Sequence, residues 1–238
     1  MNRSMTAFCA AIVMFVTATC AMGGQYDDPS GFSLTYPDGW TAVDKVSQTI
    51  HPKDLPKEIG NWLQKNQVSL DGVKVMLLRQ GKGSFLENLN VVVRPGEPPI
   101  NSHTVDEVID VVSKQYRSMG LPIQNMTGRL QTYGVNRAVV LDYNMKVPGS
   151  NATITQRQMM IPGGGNIYII TCSAKPETFA TYAPIFDSIV SNMKVPAPTV
   201  HGFDWNRVME KALMGGIGGM LIGVGLWAVK KFGARGKQ

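Results

Sequence analysis

Apolar and polar residues alternate with a period of two through much of the central chain, the pattern of strands with one buried face. Phe32, Leu34 and Tyr36 share one face of a first strand, and Pro37-Asp38-Gly39 supplies turn chemistry before Trp40, so the pattern predicts a two-strand start. Further strand-like runs lie at residues 73–79, 89–94, 128–133, 137–147, 152–161 and 166–173. Most are joined by short Gly, Pro or Asn turns, which favours antiparallel pairing, and Pro162-Gly-Gly-Gly-Asn166 reads as a hairpin turn. Two stretches instead have helical period. Thr104 and Glu107 have the spacing of a capping box before the stripe Val105, Val108, Ile109, Val112, Tyr116 and Met119. Phe179, Tyr182, Phe186, Ile189, Val190 and Met193 form a second stripe, with Pro184 expected to bend or restart that helix. A shorter helix is predicted over residues 57–65, around Trp62. A largely antiparallel sheet covered by segregated helices is an α+β sandwich.

The two ends of the chain follow different patterns. Residues 1–24 have the layout of a secretory signal peptide: Arg3, an apolar run over 7–18, then the small residues Ala21, Gly23 and Gly24. The run is too short to span a bilayer, and cleavage is expected after Ala21 or Gly23. Residues 212–229 contain 18 positions without a charge, about 27 Å as a helix and close to a hydrocarbon core in thickness. Lys230, Lys231, Arg235 and Lys237 follow at once and place that end in the cytoplasm by the positive-inside rule. Trp205 and Trp227 are spaced to anchor at the two interfaces. Gly215, Gly219 and Gly223 recur every four residues on one helical face, a glycine zipper that would admit a second helix, another copy or a membrane partner. A sorting tail removed after export has the same layout. Residues 195–203, with two prolines, read as a semi-rigid linker. The predicted organisation is therefore a signal peptide (1–24), a globular domain (25–194), the linker (195–203), a juxtamembrane and transmembrane helix (204–229) and a basic tail (230–238).

Charge changes the picture only at the ends. The formal net charge is +6, yet residues 25–200 carry 16 basic against 15 acidic side chains. The domain is thus nearly neutral and lacks the basic footprint of a nucleic-acid-binding protein. Cys9 and Cys20 lie in the expected leader, which leaves Cys172 in an apolar strand run, where a buried inert thiol is expected. His51, His103 and His201 are far apart in sequence. Asp106 and Glu107 beside His103 fit the first turn of a helix better than a metal site. Ser102 and His103 are adjacent and lie outside any nucleophile elbow. Asn90, Asp142, Asn144, Gln156, Arg157 and Gln158 read as the solvated face of the sheet, with a ligand cleft as the alternative, and Asp142 and Arg157 are placed to pair across neighbouring strands. No catalytic, metal-binding or cofactor-binding set is expected.

Gly31-Phe-Ser-Leu-Thr-Tyr-Pro-Asp-Gly-Trp40, the strand over 88–95, the capped helix, the paired strands to Ser173 and the Phe179-x-x-Tyr-x-Pro-x-Phe186 helix together resemble the PsbP-like superfamily. That group includes an extrinsic protein of photosystem II, a Ran-binding import factor and bacterial envelope proteins. The resemblance covers about residues 30–194, and the Tyr36-Pro37-Asp38-Gly39-Trp40 turn is its most specific element. It implies an α-β-α sandwich and a binding or assembly role without shared catalytic residues. The C-terminal anchor departs from most relatives. The leading expectation is a membrane-tethered, non-enzymatic binding or assembly module on the periplasmic side of a bacterial inner membrane, in contact with the bilayer and an envelope or membrane protein. A small-molecule or lipid-binding periplasmic protein is the alternative, and an envelope hydrolase ranks third.

Overall fold

The computed structural model describes residues 22–44, 46, 57–66, 70, 72–79, 87–147 and 152–199, and strands dominate it as the alternation predicts. Seven strands form one antiparallel sheet in the order β3 (Trp40–Asp44), β4 (Val73–Arg79), β5 (Asn88–Pro95), β9 (Asn166–Ala174), β8 (Thr153–Gly163), β7 (Asn136–Lys146) and β6 (Ile123–Tyr133). Two meanders, β3 to β5 and β6 to β9, meet at a single ladder between β5 and β9, from Asn88↔Ser173 to Pro95↔Asn166. β1 (Met22–Asp27) and β2 (Ser33–Pro37) make a separate two-stranded ribbon.

Both faces of the sheet are buried, each by its own set of alternating side chains. The helix α1 (Lys57–Lys65) contributes Leu63 to one face, and α2 (Thr104–Ser118) packs Val108, Val112 and Tyr116 there with Val92, Leu141 and Ile169. On the other face α3 (Pro176–Ser191) seats Phe186, Ile189 and Val190 among Tyr168, Ile170 and Cys172, and the ribbon adds Phe32 and Leu34. Each such aliphatic or aromatic side chain contributes about 1.5–3 kcal/mol through burial. The layers are helix, sheet, then helix with ribbon, the mixed α+β architecture that the periodicities predict.

Four local expectations change. The Pro37-Asp38-Gly39 turn does not close a hairpin: β2 pairs with β1, while β3 pairs with β4 through Trp40↔Arg79, so this turn carries the chain from ribbon to sheet. Gly39 supplies the positive φ of 79° that the reversal needs, and Trp40 then packs edge-on to Phe186, with ring centroids 6.0 Å apart. The capping box over Thr104 and Glu107 does not form. Asn101 instead turns the chain by accepting the His103 amide, and the Thr104 hydroxyl is taken by the Asn101 amide at 2.9 Å. Pro184 lies inside α3 without ending it. Finally, ordered strand begins at Met22, within the expected leader, and Gly24 pairs with Tyr36. A cut after Ala21 would leave this ribbon whole, whereas one after Gly23 would remove part of it.

Among the described residues no helix is long and apolar enough to cross a membrane, and the expected span over 212–229 lies outside them.

Candidate functional site

Among the described residues two places carry polar chemistry that the packing alone does not require. The first is inside the sheet. Asn90, Gln156 and Gln158, expected on a solvated face, are fully buried, because α2 covers the face onto which their strands direct them. Register aligns them in a row: Asn90 lies opposite Thr171, Thr171 opposite Gln158, and Gln156 between Ser173 and Tyr143. Gln156 Nε2 donates to Ser173 Oγ at 3.0 Å, and Gln158 Nε2 to Thr171 Oγ1 at 3.3 Å. The row ends at Tyr143 and Tyr116, whose hydroxyls share a hydrogen bond of 2.7 Å. Burial pushes both phenols well above their usual range. The Asn90 amide and the side-chain oxygens of Gln156 and Gln158 have no protein partner. Groups of this kind cost about 1–3 kcal/mol each unless water or another polar partner meets them.

The second place is the end of the sandwich where the described chain stops. Residues 195–199, expected as the start of a linker, are strapped across that end. Ser33 and Lys194 exchange backbone hydrogen bonds of 3.0 and 2.8 Å, Gly164 N donates to Ala197 O at 3.0 Å, and Asn136 Nδ2 donates to Pro162 O and Pro196 O at 2.7 and 2.9 Å. The strap ends on a buried carboxylate. Glu97 accepts the amides of Gly165 at 3.0 Å and Thr199 at 2.8 Å, together with the Thr199 hydroxyl. Beside this clamp lies a depression of about 250 Å³, lined among others by Pro98, Pro99, Ile100, Pro198, Val135 and Arg137. Val135, at the tip of the β6–β7 turn, is 75% exposed, the large hydrophobic side chain left most open among the described residues.

The turn residues Tyr36, Pro37, Asp38, Gly39 and Trp40 are described and structural, at the opposite end from Thr199. Gly215, Gly219, Gly223, Trp205 and Trp227 lie outside the described residues, as do His51 and His201. His103 and Ser102 sit exposed in the turn before α2, and among the described residues no group of His, Cys, Asp and Glu has metal-site geometry. Cys172 is buried and its thiol is pushed well above its usual range by that burial, which leaves no thiolate for chemistry near neutral pH. The expected pair is present: Arg157 Nε donates to Asp142 at 2.7 Å. The sequence reading missed the rest of this cluster, namely Asp187 of α3, which Arg157 Nη1 reaches at 2.8 Å, and Arg129 of β6, which bonds Asp142 at 2.6 Å. Burial works against the Arg157 charge, but hydrogen bonds to Asp142 and Asp187 outweigh it and raise the guanidinium pKa, so the cluster docks α3 on the sheet. Glu97, Asn136 and Val135 were also missed. Only the lone apolar residue at a turn position in Gly134-Val135-Asn136 offered a signal.

No protein-family model and no curated protein matches the chain. Solved structures do. The chain is similar to the solution structure of cyanobacterial PsbP (CyanoP) from Synechocystis, with a TM-score of 0.50 and 17% identity over 79% of this chain and 98% of that one. It is also similar to LpqN of Mycobacterium tuberculosis, described as involved in cell envelope biogenesis, with a TM-score of 0.42 and 13% identity over 73% and 91% of the two chains. A third similar structure, PA94 of Pseudomonas aeruginosa, a protein of unknown function described as a possible regulator, gives a TM-score of 0.37 at 16% identity over 75% and 99%. The first of these establishes a PsbP-like fold.

Proposed function

We propose that this protein is a membrane-tethered, non-enzymatic binding module of a bacterial cell envelope. Its domain stands in the periplasm, its C-terminal helix crosses the inner membrane, and its basic tail lies in the cytoplasm. The observation that supports this reading is the clamped strap. Glu97 and Asn136 hold residues 196–199 against one end of the domain, so the chain leaves toward the uncharged run at 212–229 from a defined place. A domain held in this way offers its remaining surface to a partner protein, and Gly215, Gly219 and Gly223 offer a second contact within the bilayer. The test is protease added to spheroplasts carrying the full chain with a C-terminal epitope. The expected result is loss of the domain, survival of a short tagged fragment and retention of that fragment in carbonate-washed membranes. Release of the intact protein with the periplasmic fraction would reject the tether. Crosslinking in the native membrane, read by mass spectrometry, then identifies the partner.

A second reading, a carrier of a small polar ligand or lipid headgroup, is favoured by one observation, the buried Asn90 amide and the buried side-chain oxygens of Gln156 and Gln158, which have no protein partner. It ranks lower because Tyr116, Val112 and Val108 occupy the layer between α2 and the sheet.

A further inference from the structure

We infer that the end of the domain bearing the strap is a bilayer-contacting face, with Val135 and the proline-lined depression seated in the lipid headgroup layer and Arg137 beside lipid phosphate. This rests on the tether proposed above and adds an orientation to it.

Chain length carries the argument. Thr199 is fixed to the domain by Glu97. Trp205, the expected interfacial anchor, is six residues further along, a reach of at most about 20 Å for extended chain. The strands run the other way: β7 leads from Asn136, beside the strap, to the exposed Lys146 at the far end, and its 11 residues span about 33–36 Å. The strap end is therefore held near the bilayer, and the turns at Pro37-Asp38-Gly39 and Lys146 point away from it.

The chemistry of the two ends fits that orientation. Val135 is β-branched and 75% exposed at a turn tip, where Gly, Asn or Asp would ordinarily serve. Among the described residues nothing covers it. Below it Pro98, Pro99, Ile100 and Pro198 give an apolar floor, Arg137 adds an exposed cation, and the nearby Glu97 carboxylate is already occupied by Gly165 and Thr199. An apolar tip with a neighbouring cation suits the interface between headgroups and acyl chains. Pairing with a second copy or with a soluble protein is the competing use of the same surface.

The test uses the full chain, with Cys9 and Cys20 replaced by Ser, reconstituted in vesicles of phosphatidylcholine and phosphatidylglycerol. An environment-sensitive fluorophore is attached through Val135→Cys or, at the far end, Lys146→Cys, while the native Cys172 stays buried. The expected result is a blue shift and quenching by spin-labelled lipid at position 135, with neither at position 146. Equal behaviour at the two positions, in a chain that stays with the vesicles after carbonate washing, would overturn the inference and leave the tether standing. A blue shift at 135 without lipid quenching would assign the surface to protein contact and also overturn it. Loss of the chain from the washed vesicles would overturn the tether and the inference together.

Discussion

Asn90 sits in the middle of β5 with its amide fully buried and unpaired, between Met76 on one side and Thr171 on the other. An isolated buried amide is one of the few side chains whose removal should help a fold. Replacing it by an apolar group of the same shape deletes the desolvation penalty without opening a cavity. Asn90→Leu is therefore expected to leave the urea midpoint unchanged or to raise it, by up to about 1–3 kcal/mol of stability. A loss of comparable size in equilibrium unfolding would mean that the amide is met by a ligand or an ordered water, which would favour the second functional reading. Asn90, Gln156 and Gln158 also mark the limit of what periodicity tells. Alternation separates these three from Arg157, which lies between Gln156 and Gln158 in the chain and reaches Asp187 of α3 on the opposite face, so the six polar residues read as one solvated face divide between two. It does not show that a helix remote in the chain folds back over that face, so polar residues in a strand read as solvated when they are not.

Elements whose identity depends on local pattern were legible, and those whose position depends on remote partners were not. The strand over 73–79 and the Pro162-Gly-Gly-Gly-Asn166 turn stand where alternation and turn chemistry place them, as do the stripes of α2 and α3. The strap is different. Two prolines in residues 195–203 imply extended chain, but docking of residues 196–199 comes from Asn136, 60 residues from Pro196, and Glu97, 102 residues from Thr199. The split between β2 and β3 has the same cause, since the partner of each strand lies elsewhere in the chain. Glu97→Ala should free the strap selectively. The amides of Thr199 and Gly165 lose their acceptor, a local cost of about 1–3 kcal/mol. The readout is faster hydrogen exchange at those two positions, with exchange in β7 and β8 unchanged. Slow exchange at Thr199 in this variant would show that Glu97 is dispensable to the clamp.

At the scale of the whole molecule the buried acids set a limit in alkali. Burial raises the Cys172 thiol and the Tyr116 and Tyr143 phenols in the fold, while the unfolded chain titrates near pH 8.5 for Cys and 10 for Tyr. Above those values the unfolded state releases protons that the folded state keeps, so the stability is fully present below about pH 8.5 and falls as pH rises beyond it. Thermal unfolding followed by circular dichroism from about pH 7 to 11 should show the midpoint dropping on the alkaline side. The combined Cys172→Ala and Tyr143→Phe variant should flatten that drop, and a midpoint insensitive to alkali in the parent protein would contradict the assignment.

The single ladder between β5 and β9 has an entropic consequence. Apart from the link between β3 and β4, the other neighbours in the sheet are joined by connections of two to eight residues, but Pro95 and Asn166 meet across 71 positions of chain. Closing that loop costs about 2–3 kcal/mol more chain entropy than closing a short turn. β5 also emerges from the ribosome well before β9. Until the second meander arrives, the first presents an unpaired apolar edge, Val91, Val92 and Val93, that is open to any strand nearby. The seam that completes the sheet is thus also the point at which an incomplete chain is most prone to pair with the wrong one.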